Sequence, residues 1–345
     1  MRNKDILFTF DYELFLGERS GSVQKCMLEP TEKLIALFEK YNIRNAIFFV
    51  DTTYLIRLKE LAKSNSSALT DYTAITFQLQ KLIRHHHYVF PHIHPHWLDA
   101  SYDAGSSQWK LSDISKYRFH SISNDERENL FSKSFDILKE IIYPINFHYA
   151  IDGYRAGGWC IQPFADFYPQ FKKHEIRFDF SVLRGLKNFS SAQYFDFEKV
   201  PLKNIYRFEN DVLVEEKYGS LTQISISTIP FSKTTELLNK FLLKFLWKTG
   251  NRSIGDGSGV VANKISENKN VEQSVSATNL EMVSIELLNA IKLPHYKNYL
   301  EQNKYMHFIS HPKMLSNHNF KSFEKFLKFV RTNFDLTTDF REMKE

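Results

Sequence analysis

Residues 85–97, HHHYVFPHIHPHW, place a short apolar segment between two groups of histidines. The segment YVFPHIH predicts a buried β-strand that ends at His92 and His94. The first three histidines follow FQLQKLIR, which predicts a helix whose carbonyl end interacts favourably with basic side chains. Because consecutive residues point in different directions, we do not expect these three to bind one metal ion together. The two histidine groups therefore have different expected roles.

The same alternation of strand and helix patterns runs along the chain. DILFTF at 5–10 and NAIFFVD at 45–51 predict two further buried strands, and PTEKLIALFEKYN at 30–42 predicts the helix between them. Later strand candidates are FHYAIDGYRAGGW, IRFDFSV, LTQISISTIP and YMHFISHP. Strands that alternate with helices favour a parallel sheet or barrel. The predicted fold class is therefore α/β.

We expect a single domain over residues 1–345. Residues 99–122 predict a surface loop, and the Gly-, Ser- and Asn-rich residues 250–279 predict a flexible excursion, because another strand and helix follow them. The helix TTELLNKFLLKFLWK at 234–248 has an apolar side and several lysines. We expect it to pack on the barrel exterior, with contact to an anionic membrane as the less frequent alternative.

Composition limits the classes of function. The 345 residues are 43% hydrophobic, enough for a buried core, and the net charge of +5 is small and dispersed, so nucleic-acid binding is not expected. Two cysteines, Cys26 and Cys160, cannot form a disulfide framework and indicate a reducing compartment. The first residues contain only a short apolar run, which predicts no signal peptide and a cytoplasmic protein. The oligomeric state is left open.

Polar side chains lie at the C-terminal ends of the predicted strands. These ends form one face of a parallel barrel, where residues distant in sequence can meet. Two imidazoles and one carboxylate suit Zn²⁺ or a similar divalent ion, a second carboxylate can accept a proton, and another histidine can donate one. Such a set can hydrolyse an amide or ester. The candidates are Asp11, Glu13, His92, His94, His96, Arg155, Asp179, Ser181 and His311.

Five of these segments resemble, in order, the motifs of the polysaccharide deacetylases, the nodulation-type deacetylase domain of carbohydrate esterase family four. FTFDYE resembles their Thr-Phe-Asp-Asp-Gly motif, HIHPH their His-(Ser/Thr)-x-x-His motif, and YRAGGW their Arg-x-Pro-aromatic motif. FDFS resembles the Asp-Ser/Thr motif, and FISHP the last strand, which ends in His. The resemblance covers residues 9–312 and implies a distorted (β/α) barrel of the deacetylase type, with seven strands.

The resemblance also implies roles in proton transfer. Asp11 would be the general base, oriented by Arg155 through a charged hydrogen bond. His311 would be the general acid, positioned by Asp179. Trp159 would form a wall of the substrate groove, and Tyr12 and Ser181 are further candidates for substrate contact.

For the cofactor, the resemblance implies one divalent metal ion, with Zn²⁺ first, held by Glu13, His92 and His96. The residues themselves leave a second arrangement open. Pro95 disfavours a helical conformation at His94, so the strand can extend to His94 and a short helix can begin at Pro95. In that arrangement His94 replaces His96 as the second imidazole ligand.

The first motif departs from the family pattern, because Tyr12 separates the two carboxylates. Residues two apart on a strand share a face, so Asp11 and Glu13 can both point into the barrel mouth, although their roles could be exchanged. In the third motif, Ala156, Gly157 and Gly158 stand where the family has its proline segment. The groove wall at Trp159 is therefore less well supported than Arg155.

The predicted function is metal-dependent hydrolysis of an N- or O-acetyl group on a sugar, in a cytoplasmic precursor of a surface polysaccharide. The same groups would serve a second reaction, hydrolysis of another C–N bond in a small amide or ureide. The altered first and third motifs suggest another class, a catalytically silent sugar-binding relative.

Overall fold

The computed structural model describes residues 2–17, 19–111, 115–190, 193–259 and 280–344. Over these residues the chain forms a mainly parallel β-sheet that curls into a distorted (β/α) barrel flanked by helices. The predicted fold class is confirmed. Most of the predicted 250–279 excursion, residues 260–279, lies outside the described residues.

The strands are β1 (Arg2–Tyr12), β2 (Ile47–Asp51), β3 (Tyr88–Ile93), β4 (Ser101–Asp103), β5 (Gln108–Lys110), β6 (Gly153–Ala156), β7 (Phe178–Asp179), β8 (Lys187–Phe189), β9 (Tyr194–Asp196), β10 (Ile205–Phe208), β11 (Leu221–Ile224), β12 (Thr228–Pro230), β13 (Leu280–Met282), β14 (Tyr305–Ser310) and β15 (Phe334–Thr337). The α-helices are α1 (Glu29–Lys40), α2 (Thr52–Leu61), α3 (Ser66–Arg84), α4 (Asn124–Ile142), α5 (Tyr168–Lys173), α6 (Lys233–Lys248), α7 (Leu293–Gln302) and α8 (Asn317–Asn333).

Seven parallel strands of the described chain form a continuous wall, in the order β11, β7, β6, β3, β2, β1 and β14. Antiparallel β10 extends the wall beyond β11, and β15 pairs in parallel with the start of β1. Between the two edges, Ser227 N donates to His307 O at 3.3 Å, and the Tyr305 hydroxyl donates to Ser225 O at 2.8 Å. These bonds join β14 to the segment after β11, so the strand ends surround one mouth.

Aromatic packing fixes β1 in the centre of the fold. Phe8 packs against Phe38 of α1, Phe308 of β14 and Phe323 of α8, with ring centroids 5.8, 5.2 and 5.4 Å away. Each such buried ring contributes about 1.5–3 kcal/mol through removal of apolar surface from water. Because parallel strands are covered on both faces, β1 has a nearly continuous apolar run before it reaches the mouth.

The residues 99–122, predicted as a surface loop, contain the antiparallel β4–β5 hairpin. Trp109 of β5 is buried and packs edge to face against Trp97 and Tyr102, with ring centroids 5.9 and 5.3 Å away. Trp97 belongs to a short 3₁₀ helix, Pro95–Asp99, that follows β3. The hairpin is thus anchored beside the histidines at the end of β3.

Helix α6 was expected to bury its apolar side against the barrel, but most of that side is exposed. Leu242 and Leu246 are half-buried, but Leu238, Phe241 and Phe245 of the same predicted stripe are exposed. The difference arises because the stripe is wide, and only its edge turns toward the barrel. None of the helices in the described ranges combines the length and apolarity needed to cross a bilayer.

Candidate metal and hydrolytic site

Four barrel strands deliver polar side chains to one mouth. Asp11 lies at the end of β1, His92 at the end of β3 and Arg155 in β6, while His311 follows β14 directly. His92 and Arg155 are aligned partners in the β3–β6 pairing. The parallel arrangement therefore brings these four residues together, although they span 300 positions from Asp11 to His311.

Glu13, His92 and His94 form a buried cluster whose ligand atoms all lie within 4.8 Å of one another. His94 Nε2 lies 2.9 Å from Glu13 Oε2 and 2.9 Å from His92 Nε2. His92 Nδ1 lies 2.9 Å from the Arg155 carbonyl oxygen, which can only accept, so Nδ1 carries the proton and Nε2 presents its lone pair. Two imidazole nitrogens and one carboxylate oxygen are a donor set that fits a catalytic divalent ion such as Zn²⁺.

His96 is not part of this cluster. His94 retains an extended backbone, with φ −117° and ψ 95°, and the 3₁₀ helix begins at Pro95. On an extended chain, residues two apart share a face, so His94 accompanies His92. The turn at Pro95 leaves the His96 ring beside His94, with ring centroids 5.1 Å apart, but outside the cluster of ligand atoms. The His96 ring instead stacks on Tyr117, with centroids 5.3 Å apart and planes at 12°. Of the two arrangements left open by the sequence, the observed geometry favours His94.

Asp11 is held by a buried guanidinium. Arg155 Nη1 donates to Asp11 Oδ1 at 2.6 Å, Nη2 donates to the Thr9 hydroxyl at 2.7 Å, and Nε donates to the Phe180 carbonyl at 3.0 Å. Burial raises the pKa of Asp11, but Arg155, with His92 and His311, outweighs it, so the net pKa lies below the ordinary value. Asp11 is therefore an oriented carboxylate that stays ionised.

Glu286 orients His311, a partner that the sequence did not reveal. His311 Nδ1 donates to Glu286 Oε1 at 2.9 Å, and the His311 backbone N–H donates to Glu286 Oε2 at 3.3 Å. Burial lowers the pKa of His311, but Glu286 and Asp11 outweigh it and raise the net pKa above the ordinary value. Since His311 Nε2 lies 3.5 Å from Asp11 Oδ2, a protonated imidazole stands directly beside the carboxylate.

Asp179, expected to position His311, has other partners. Its Oδ1 accepts from the Ser181 hydroxyl at 2.7 Å and its Oδ2 accepts from the Ser181 backbone N–H at 2.9 Å. The Ser181 hydroxyl also accepts from Ala156 N at 2.9 Å, which ties the turn after β7 to β6. Both side chains are fully buried, the Ser181 hydroxyl is engaged by Asp179 and Ala156 N, and Asp179 supports β6 rather than His311.

The site also contains a buried lysine, Lys313, that the sequence analysis did not predict. Lys313 Nζ donates to Glu13 Oε1 at 2.9 Å and to the Leu14 carbonyl at 2.7 Å. Burial raises the pKa of Glu13, but the opposing effects of Lys313, His94 and His92 are larger together, so the net pKa lies well below the ordinary value. Glu13 is therefore ionised with one oxygen paired to Lys313 and the other directed at His94.

Two residues predicted to contact substrate, Tyr12 and Trp159, lie on different sides of the strand ends. Tyr12 is fully buried and its hydroxyl donates to Gln78 Oε1 at 2.8 Å, so it faces away from the mouth between Asp11 and Glu13. Trp159 is partly exposed, and its ring centroid lies 6.4 Å from that of His311. Trp159 therefore borders the site, whereas Tyr12 supports the strand from behind.

No protein-family model and no curated protein sequence matches this chain. Among solved structures, it is similar to one described as a "putative polysaccharide deacetylase" from Mycobacterium smegmatis, with 12% identity, a TM-score of 0.48, and coverage of 96% of this chain and 86% of that chain. It is also similar to 4-alpha-glucanotransferase from Thermococcus litoralis, with 11% identity, a TM-score of 0.43, and coverage of 98% of this chain and 40% of that chain. Both TM-scores are below 0.5, and neither likeness indicates a shared activity.

Proposed function

We propose that this protein is a metal-dependent hydrolase that removes an N- or O-acetyl group from a sugar. One observation carries the proposal: a buried Glu-His-His cluster lies beside a carboxylate fixed by arginine and a histidine fixed by glutamate. A metal site alone could be structural. A metal site flanked by an oriented proton acceptor and an oriented proton donor is the arrangement that hydrolysis requires.

Glu13, His92 and His94 would hold the metal ion, with Lys313 neutralising part of the charge on Glu13. A bound divalent ion would supply Lewis acidity, which polarises the substrate carbonyl and makes water easier to deprotonate. The buried carboxylate and imidazoles exclude bulk water, which strengthens electrostatic interactions within the site.

Asp11 would take a proton from water as the water oxygen attacks the acetyl carbonyl carbon. His311 would donate its proton to the leaving nitrogen or oxygen as the C–N or C–O bond breaks. The products are acetate and the free amino or hydroxyl sugar. Because Asp11 and His311 are 3.5 Å apart at their nearest side-chain atoms, both can reach one small acyl group.

Two features support a sugar as the substrate. One is the set of five motif-like segments, and the other is Trp159, whose partly exposed ring borders His311. An indole face beside the acyl site suits the apolar face of a sugar ring. We further propose that the substrate is a precursor of a surface polysaccharide, carried by a nucleotide or a lipid.

The test is acetate release by purified protein, stripped with a chelator and reconstituted with single divalent ions. The panel contains N-acetylated and O-acetylated sugars, nucleotide-linked and lipid-linked forms, and small amides and ureides. We expect metal-dependent acetate release from an acetylated sugar. Turnover of only the amides or ureides would support hydrolysis of another C–N bond instead.

Asp11→Asn supplies the decisive variant, since it keeps the shape of the side chain but removes the base. We expect kcat/KM to fall by about 10²–10⁴-fold with the metal content unchanged. Asp152→Asn is the matched control, because Asp152 is also buried and paired with arginine, accepting from Arg341 at 2.6 Å, but precedes β6 at the opposite end. A metal-loaded wild type without turnover on any panel member would instead favour a silent sugar-binding protein.

A further inference from the structure

Helix α6 presents large apolar side chains to solvent. Phe241 and Phe245 are each 62% exposed, and Leu237 is 54% exposed. Because these three residues follow at four-residue spacing, they lie on one side of the helix. Trp247 in the last turn is 63% exposed. A contiguous apolar stripe of this kind on a folded protein marks a surface that contacts another phase or molecule.

Basic side chains border this stripe. The helix carries Lys233, Lys240, Lys244 and Lys248 and a single acidic residue, Glu236. At about 100° per residue, Lys244 and Lys248 lie within about 60° of Phe241 around the helix axis. In the part of the chain that the structure describes, none of the four lysines has an ion-pair partner. The surface is therefore apolar at its centre and positively charged along one side.

We propose that α6 lies in the plane of an anionic lipid surface, with the apolar stripe inserted at the headgroup boundary and the lysines against lipid phosphates. A helix with this division of side chains binds at an interface rather than across it. A second copy of the chain is the less favourable occupant, because two such faces in contact would oppose lysines with lysines.

The helix is closely connected to the barrel mouth. Ile254, six residues after Lys248, donates its backbone N–H to Leu315 O at 2.8 Å. Two residues further, Asp256 Oδ1 accepts from Ser22 N at 2.8 Å. Six residues span at most about 20 Å, and Leu315 lies two positions after Lys313, which contacts Glu13. A lipid-bound α6 would therefore hold the mouth near the lipid surface, where a membrane-associated substrate could enter.

The test is flotation of the full-length protein with vesicles of phosphatidylcholine alone or of equal parts phosphatidylcholine and phosphatidylglycerol. We expect binding to the mixed vesicles only, weakened by high salt. Phe241→Ser with Phe245→Ser should weaken partitioning at least about tenfold, since it removes the inserted apolar surface. Lys244→Gln with Lys248→Gln should weaken it about fivefold for each lysine at low salt.

The matched control is Phe147→Ser with Tyr218→Ser, which removes aromatic rings that are 73% and 87% exposed elsewhere on the surface. We expect wild-type binding from this control, and unchanged thermal stability in all three variants because every altered side chain is exposed. The proposal is overturned if the wild type does not float with mixed vesicles, or if the α6 variants bind as well as the wild type. It is also overturned if the wild type is a dimer that Phe241→Ser with Phe245→Ser makes monomeric while no vesicle binding occurs. Acetate release plays no part in this test, so failure of the proposed reaction leaves it intact.

Discussion

The two ends of β3 each carry three histidines, in contrasting surroundings. At the N-terminal end, His87 is buried between Phe38 and Phe48, with ring centroids 5.5 and 6.1 Å away, and burial lowers its pKa to about 3. At the C-terminal end, His92 and His94 are equally buried, but Glu13 lies beside them. The contrast shows that burial alone favours the neutral imidazole, whereas burial beside a carboxylate gives a donor set that could hold a metal ion.

The contrast has an electrostatic cause. Burial disfavours the charged imidazole because water cannot hydrate it, unless a nearby negative group compensates for the lost hydration. Phe38 and Phe48 offer His87 no such compensation. At the mouth, the Glu13 carboxylate supplies the compensating negative charge. The Nε2 atoms of His92 and His94 lie 2.9 Å apart, so they cannot both carry protons. That end of β3 is therefore arranged to attract a cation, and the other end to exclude one.

The largest expected effect is on metal binding. We expect His94→Ala to weaken Zn²⁺ binding more than about 100-fold, because Zn²⁺ sites bind with about 10–16 kcal/mol and His94 would be one of three protein ligands. His86→Asn is the control, since His86 is exposed with φ 62°, which Asn tolerates. Competition with a chromophoric chelator measures both affinities. Equal affinity in the two variants would contradict the assigned ligand.

A smaller effect is expected when a carboxylate partner is removed from histidine. His311 Nδ1 lies 2.9 Å from Glu286 Oε1, and at the opposite end of the barrel His85 Nδ1 lies 2.9 Å from Glu39 Oε1. We expect Glu286→Gln to lower kcat about 10–100-fold with KM and metal content unchanged, because His311 loses its orienting charge. Glu39→Gln breaks the same pairing away from the mouth and should leave kcat unaltered. A rise in KM or a fall in metal content with Glu286→Gln would instead indicate a structural role.

Much of the site follows from strand direction. Parallel strands bring their C-terminal ends to one face, so Asp11, His92, Arg155 and His311 could be placed together from the sequence. The two-residue period of β1 that puts Asp11 and Glu13 on one face also puts Tyr12 on the other. That sequence rule, applied to Tyr12 as well, would have excluded it from the mouth.

The rest depends on contacts that no local pattern encodes. Glu286 lies on an irregular segment that reaches β14 through the Ile309 N–H bond to Val283 O at 3.0 Å. Lys313 follows Pro312 in a short turn, and its partner Glu13 is 300 residues away. Both are charged side chains on connections between secondary-structure elements, where sequence periodicity does not indicate which way a side chain points. Only the folded chain shows which carboxylate each one meets.

The next effect concerns stability at the N-terminal end of β3. The folded-state pKa of His87 is about 3, below the ordinary 6.5, so the unfolded chain binds more protons between these values. Stability from the neutral imidazole is complete above pH 6.5 and is lost as the pH falls, by about 1.4 kcal/mol per pH unit. We expect the wild type to lose about 2 kcal/mol more than His87→Phe between pH 6.5 and 5, measured by urea unfolding. Parallel pH curves for the two proteins would contradict this origin, and His86→Asn should follow the wild type.

The smallest effect is expected at His96, which lies at the same end of β3 as His92 and His94 but outside the cluster that they form with Glu13. The His96 ring stacks on Tyr117, and burial, with His94 nearby, holds its pKa well below the ordinary value. We expect His96→Ala to change Zn²⁺ affinity by less than about threefold, while the lost stacking and the cavity cost about 1–3 kcal/mol in the free energy of unfolding. Loss of the metal in His96→Ala together with its retention in His94→Ala would exchange the two roles. It would also show that the turn at Pro95 reorients when a metal ion binds.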